Sequence, residues 1–371
     1  MHTRSSRKHF AKRMYLAARH MLLMPFFLLR RTCIPHPADI KVVAVLRYDR
    51  IGDMVITTPL FEALKDRFPH ARLIVVASAS NKAVIEQSPF VDEIALYQGL
   101  FASARLLKRR KVDMVIDPFY TYELKQPLLA FLSGARYRLG FQCGGRELFF
   151  TVRGPAIAES VSMSRHLAGL AACLQIRLDR FQPRIFFRPK EISWARDYIS
   201  HQCSSAGEVK VAIHPGAFYP SQRWSPGGFA EVGRRILSNY DAHIFLVGDR
   251  TEEMLLTHIQ DRIWHERVTV FCDMDLRHVA ALLGECDLLI CNNSGLLHIA
   301  SALGIPTVST MGPSDPVLWQ PHGRGHIVIR HKLPCSPCTL GECKEHWCMH
   351  AITVDEVERM AEQQIARAGK R

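Results

Sequence analysis

At 371 residues the chain is too long for one ordinary core and about the right size for two α/β domains. Apolar residues make up 48% of it, which excludes a disordered chain and a polytopic membrane protein. The formal charge is +13, and eight basic residues against one acid precede Ile40, so an anionic partner is expected: nucleic acid, a membrane surface or a phosphorylated substrate.

The chain opens on a leader, residues 1–39. Met14 to Leu29 is largely apolar, but Arg19 and His20 interrupt it and Pro25 breaks helical continuity. It is shorter than the roughly 20 residues needed to span a bilayer. Arg30-Arg31-Thr32-Cys33 offers no small-residue cleavage site for a signal peptide. The pattern reads as a basic amphipathic segment lying on an anionic inner-leaflet surface, with a disordered tail as the alternative.

From Lys41 on, short apolar runs alternate with amphipathic segments, the βαβ signature of a mostly parallel sheet. Strands are expected at Lys41–Leu46, Leu73–Ala77, Glu93–Leu96 and Met114–Asp117, with a helix from about Met54 to Phe68. The alternation pauses near Phe181, and a polar helix over Glu191–Gln202 leads into the small, polar Ser204–Gly207, read as a linker. A second series follows. Strands are expected at Val209–His214, His243–Val247, Val268–Phe271, Leu288–Cys291 and Thr307–Ser309, with helices near Phe229–Leu237, Glu252–Ile263, Leu276–Leu283 and Ser294–Ala302. The expected domains are 40–205 and 206–352, followed by a C-terminal helix over 353–371. Both have an α/β, doubly wound, Rossmann-like fold, and ligands in such sheets bind beyond the carboxyl ends of the strands.

The sequence has no G-x-G-x-x-G after Leu46 or His214, no G-x-x-x-x-G-K-[ST] and no H-E-x-x-H, which argues against a dinucleotide oxidoreductase, a P-loop ATPase and a zinc protease. The strand-to-helix loops carry the candidate chemistry. Arg47-Tyr48-Asp49-Arg50-Ile51-Gly52-Asp53 ends in a carboxylate at a helix start. Asp53 there is either an N-cap or a weak, always ionised base. His214-Pro215-Gly216-Ala217 followed by Arg223 offers backbone N–H groups and a guanidinium fork to a diphosphate, although Arg223 also reads as a surface residue beside Trp224. Asn293-Ser294-Gly295 suits phosphate or sugar recognition and equally a plain turn and cap. Glu252 follows a strand, where ribose hydroxyls are often held, or is simply an acid in a first helical turn. Asp273-Met274-Asp275 reads as a helix start with Asp275 as N-cap rather than a metal pair.

In this order the motifs Arg-x-Asp-Arg-Ile-Gly-Asp-Met-Val-x-Thr-x-Pro, His-Pro-Gly-Ala, Arg-Trp-Ser, Val-Gly-Asp and Asn-Asn-Ser-Gly-Leu-x-His resemble the ADP-heptose:lipopolysaccharide heptosyltransferases of glycosyltransferase family 9, from about Lys41 to the C-terminus. The resemblance implies a GT-B architecture, two Rossmann-like domains facing a cleft, and an inverting transfer from an ADP-sugar without a catalytic cofactor. It implies Asp53 as base and Gly216, Ala217, Arg223, Glu252, Asn293, Ser294 and Gly295 as donor site. Asn293 stands where many members have Asp, which opens the identity of the donor sugar. The implied acceptor is a lipid-anchored phosphorylated saccharide of the lipopolysaccharide core, for which Arg47, Arg50, Arg136 and Arg138 are candidate contacts. The location expected is cytoplasmic, peripheral at the inner face of the inner membrane, with no nucleic-acid partner. A UDP- or GDP-sugar transferase, a nucleotide-sugar epimerase and a non-catalytic membrane-surface scaffold remain alternatives.

The eleven cysteines include a cluster, Cys335, Cys338, Cys343 and Cys348. Its first pair has metal-ligand spacing, so structural zinc, reduced thiols and disulfides are all readings of it.

Overall fold

The computed structural model describes residues 14–19, 21–22, 35–152, 154–178, 181–205, 207–338 and 340–368. Most of the leader, including part of the expected membrane-lying segment, falls outside these. Of its described parts, 14–19 and 21–22 are helical and Pro37–Asp39 form a short 3-10 turn. Arg19 donates to the Gly144 carbonyl at 2.8 Å, and Met14, Tyr15, Met21 and Leu22 are exposed. Among the described residues no helix is long and apolar enough to cross a membrane.

The chain forms two compact units. In the first, strands β1 (Val42–Arg47), β2 (Arg72–Ala77), β3 (Glu93–Leu96), β4 (Met114–Asp117) and β5 (Tyr137–Gly140) form one parallel sheet in the order β3-β2-β1-β4-β5. Its helices are α1 (Ile51–Arg67), α2 (Leu100–Arg109), α3 (Lys125–Leu132) and α4 (Met163–Ala172). β1 is central and buried from Val43 to Arg47, which is why its apolar run is continuous rather than alternating. Ala44, Leu46, Ile74, Val76 and Val115 meet Leu107 and Leu129 in the core.

The second unit contains β6 (Val209–His214), β7 (Ala242–Val247), β8 (Val268–Phe271), β9 (Leu288–Asn292), β10 (Thr307–Thr310) and β11 (His326–Ile329), in the order β11-β10-β9-β6-β7-β8. Its helices are α5 (Pro189–Gln202), α6 (Pro226–Asn239), α7 (Glu253–Ile263), α8 (Leu276–Gly284), α9 (Gly295–Leu303), α10 (Trp347–His350) and α11 (Val354–Ala368). Local chemistry sets the ends. Ser225 caps α6 by accepting from Gly228 N with Pro226 at the first helical position, and Gly304 closes α9 with a left-handed φ of 75°. α11 is not an appendage, because its Val357, Ala361 and Ile365 are buried in the same core as Ile236 and Val308.

In each sheet the strand order reverses beside the first strand, between β1 and β4 and between β6 and β9. Crevices for ligands open at such switch points.

The division of the chain falls at Phe181/Gln182, so the expected break at 205/206 lies inside the second unit. Within the second unit, an ion pair that sequence reading did not find joins α5 to α8. Glu191 on α5 binds Arg277 on α8 through both carboxylate oxygens, each at 2.7 Å, and Arg277 also donates to the carbonyls of Phe186 and Ala83. The residues Ile51–Ile56 at the start of α1 also group with the second unit, as do Ala83–Gln87.

Candidate active site

In the first unit, the switch point is held by Arg47 at the end of β1. The side chain is buried, and its guanidinium donates to Thr57 Oγ1 (2.9 Å), Asp49 Oδ2 (2.7 Å) and the Pro118 carbonyl just past β4 (3.0 Å). Asn81 Nδ2 donates to the Arg47 carbonyl. Arg47 is thereby committed to shaping the loop that precedes α1, so we reassign it from an acceptor contact to a positioning residue. Arg50, the residue capping α1, is exposed. Arg138 is similarly committed to the carbonyls of Phe149 and Ala135, whereas Arg136 is exposed.

α1 begins three residues earlier than the sequence suggests, at Ile51. Asp53 is therefore in the first helical turn rather than at the N-cap, and it is 8% exposed. Asp53 is therefore not the N-cap residue of α1.

The second unit assembles the expected donor residues around the β6/β9 switch point. Asn292, the last residue of β9, is fully buried and uses both ends of its amide. Its Oδ1 accepts from Trp224 N (2.9 Å) and Thr310 Oγ1 (2.7 Å), and its Nδ2 donates to the carbonyls of Pro215 (2.7 Å) and Gly216 (3.3 Å). One side chain thus ties together the loops after β6, β9 and β10. The sequence signal was the strand-terminal Asn in Cys-Asn-Asn-Ser-Gly, where the adjacent Asn293 drew the attention instead. Arg223 is exposed and folds both Nε and Nη2 onto the Ala217 carbonyl, at 3.1 and 3.0 Å.

Glu252 lies against the same loop. Its carboxylate accepts from Asp249 N at 3.2 Å and stands 3.9 Å from His214 Nδ1. A methyl group added at Gly216 would fall 1.7 Å from Glu252 Oε1, and one at Gly248 would fall 2.9 Å from Oε2. Both loops beside Glu252 are therefore glycine for lack of room. Gly216→Ala is expected to swing the Glu252 carboxylate away and break its hydrogen bond from Asp249 N, at a cost of about 1 kcal/mol, and in a Glu252→Ala background the added methyl should cost little. Thermal unfolding of the single and double variants checks this, and an unshifted Gly216→Ala would contradict it.

The start of α1 meets the start of α9 within the second unit. A methyl group on Gly295 would stand 3.0 Å from Ile51 Cβ and 3.5 Å from Gly52 N, and one on Gly52 would stand 2.6 Å from His298 Cδ2. Burial lowers the His298 pKa to about 4, so this packing ring is neutral at physiological pH. Two helix N-termini thus converge beside Asp53, Asn293, Ser294 and Gly295, and Ser294 Oγ is buried there with no hydrogen-bond partner. Unsatisfied N–H groups and the positive ends of two helix dipoles make this corner suited to an anion.

Other expectations separate. Asp275 is the N-cap of α8, accepting from Arg277 N and His278 N, as read from the sequence. The four clustered cysteines do not bring three ligand atoms within 4.8 Å of one another, but burial and then the neighbouring Cys338, Cys335 and Cys343 raise the Cys348 pKa, so the four lie in one neighbourhood. Cys348 is buried in α10 beneath Gly312, whereas Cys335 and Cys343 are exposed on loops. Among the described residues, the group that brings three ligand atoms within 4.8 Å of one another is a different one, Cys203, Glu208 and His243.

A family model described as glycosyltransferase family 9 (heptosyltransferase) matches residues 100–348, well over half of the chain. The chain belongs to this family. It is a glycosyltransferase, and its two parallel sheets are the two Rossmann-like units of the GT-B architecture. Lipopolysaccharide heptosyltransferase 2 of Escherichia coli K12 is 24% identical over 302 residues, covering 76% of this chain and 85% of that protein. The E. coli ADP-heptose lipopolysaccharide heptosyltransferase II structure superposes with a TM-score of 0.71 at 20% identity, covering 88% of this chain and 99% of that one. A family 9 glycosyltransferase from Veillonella parvula gives a TM-score of 0.74 at 20% identity, covering 90% and 99%.

Proposed function

We propose that this family 9 glycosyltransferase moves a heptose, or a closely related sugar, from an ADP-sugar to an acceptor of the lipopolysaccharide core type, inverting the anomeric centre. The observation that carries the proposal is the convergence of the α1 and α9 N-termini, which puts the turn bearing Asp53 beside the Ser294–Gly295 turn. The E. coli relatives named for lipopolysaccharide and ADP-heptose support the choice of substrates.

In this reaction Asp53 takes the proton of an acceptor hydroxyl. The hydroxyl oxygen attacks the anomeric carbon on the face opposite the diphosphate, and the carbon–oxygen bond to the diphosphate breaks as the new one forms. Arg223, the backbone amides of Gly216 and Ala217, and the Ser294–Gly295 turn receive the charge that develops on the leaving ADP. Groups that are already oriented stabilise it without reorganisation. Glu252 sits where the ribose hydroxyls would be held, and Asn293 beside the sugar. All of the protein's stated chemistry is base and electrostatic, and no cofactor enters the proposal. The exposed Arg50 and Arg136 present positive charge to a phosphorylated acceptor. The basic leader, with Met14, Tyr15, Met21 and Leu22 exposed, suits an acceptor held at the inner face of a membrane.

Donor choice is tested by thermal stabilisation with ADP, UDP and GDP. We expect ADP to stabilise selectively, and Arg223→Ala to weaken ADP about tenfold, the scale of one charge-assisted hydrogen bond. Preference for UDP or GDP would replace the donor, and unchanged ADP affinity in the variant would remove Arg223 from its role.

A further inference from the structure

A second cluster of chemistry-bearing groups lies in the second unit, at the amino ends of its strands and away from the loops that the active site uses. Cys203 follows α5, Glu208 immediately precedes β6, and His243 is the second residue of β7. Glu208 and His243 are buried, at 2% and 3% exposure, and Cys203 is half-buried. Glu208 Oε1 is satisfied by Ser204 N and Ser205 N at 2.8 and 3.0 Å. Its Oε2 has no hydrogen bond, and neither has His243 Nδ1, although the two atoms face each other at 3.8 Å.

The hydrogen bonds on the far side of the ring explain why this is unstable as it stands. Thr269 Oγ1 donates to Gln202 Oε1, so it accepts from His243 Nε2, at 2.8 Å. The ring proton is thereby placed on Nε2, and Nδ1 presents a lone pair to a carboxylate oxygen. Two buried acceptors turned toward one another repel unless a cation or a shared proton lies between them. The nearby cations do not fill that place, because Lys210 is engaged by Asp287 and Arg267 by Asp241.

We propose that Cys203, Glu208 and His243 form a structural site for a zinc-class divalent cation that ties the end of α5 to β6 and β7. The three ligand atoms already lie within 4.8 Å of one another. Tetrahedral zinc bonds of about 2.0 Å to nitrogen and oxygen set those atoms about 3.3 Å apart, within about half an ångström of the 3.8 Å between His243 and Glu208. The donor set of one thiolate, one imidazole and one carboxylate is one that zinc accepts, with water as the fourth ligand. Binding releases the Cys203 proton, since the thiolate is the ligand form. Thr269 holds the non-ligating ring nitrogen, the usual outer-shell arrangement for a metal-bound histidine.

The test is the zinc content of the full-length protein after saturation with zinc ion and gel filtration, beside Cys203→Ser, Glu208→Gln and His243→Gln. Each variant should carry one equivalent less than the parent, and Cys203→Ser, at a half-exposed loop position, should remain folded. Changing Cys335, Cys338, Cys343 and Cys348 to Ser should leave that equivalent in place. With cobalt ion, the parent should show a thiolate charge-transfer band that Cys203→Ser lacks. Equal zinc in the parent and Cys203→Ser, or none in the saturated parent, would overturn the assignment.

Discussion

Asp53→Asn is expected to lower turnover by about a thousandfold, within the range that a positioned general base contributes, while ADP affinity stays within about twofold of the parent. The substitution keeps the size and nearly the shape of a side chain that is 8% exposed in the first turn of α1. It removes the carboxylate's capacity to accept a proton without disturbing the Gly52 contact with His298 or the Gly295 contact with Ile51. The expected pattern is a loss in kcat with KM for the donor little changed, because the lost interaction is made in the transition state. Turnover within tenfold of the parent would remove Asp53 from the mechanism.

The largest stability effect is expected at Arg277. Arg277→Met leaves Glu191 with 9% of its side chain exposed and its cation gone, which should cost about 3–5 kcal/mol. The double variant Glu191→Met, Arg277→Met should recover much of this, because the penalty is the uncompensated charge rather than the missing attraction. The same pair predicts an acid-labile second unit. The Arg277 hydrogen bonds lower the Glu191 pKa to about 2 from its ordinary 4.5. An acid with a depressed folded pKa contributes its stability in full above the ordinary value and loses it as the pH falls toward 2. That contribution is about 3 kcal/mol. Denaturant unfolding between pH 6 and 2 should show the parent losing this part of its stability while the double variant, which lacks the titrating carboxylate, keeps its own. A single variant that unfolds with the parent would contradict the account.

Much of this was legible from residues alone, and the reasons are local. Strands Glu93–Leu96, Met114–Asp117, Val209–His214 and Val268–Phe271 were read with the ends they have, because each is an apolar run bounded by turn or charged residues. β5 and β11 were missed. Tyr-Arg-Leu-Gly in β5 is only four residues, with a charged one inside it, and the His-Ile-Val-Ile of β11 is a partly exposed edge. The start of α1 was placed too late because Ile-Gly-Asp resembles a turn and cap. Only the close approach of His298 explains why Gly52 belongs inside a helix.

Within the candidate site, the loop glycines and Arg223 announced themselves by position. Asn292 and the Glu191–Arg277 pair did not, since their partners lie between 18 and 86 residues away and nothing in the local pattern marks them. Arg47 shows the converse error. A basic residue in a promising loop reads as a ligand contact until its three acceptors within the chain are seen. The cysteines show the limit of spacing. It marks Cys335 and Cys338, but no local pattern connects Cys203, Glu208 and His243, which come from three separate elements.

The measurement that tests the central claim most directly is transfer itself: ADP-heptose and a core oligosaccharide-lipid acceptor lacking its outer heptose, incubated with the purified protein, with ADP release and the linkage of the product both determined. The account predicts one ADP per heptose transferred, a product of opposite anomeric configuration to the donor, and neither in Asp53→Asn. A product of retained configuration, or transfer from a UDP- or GDP-sugar with none from ADP-heptose, would contradict it.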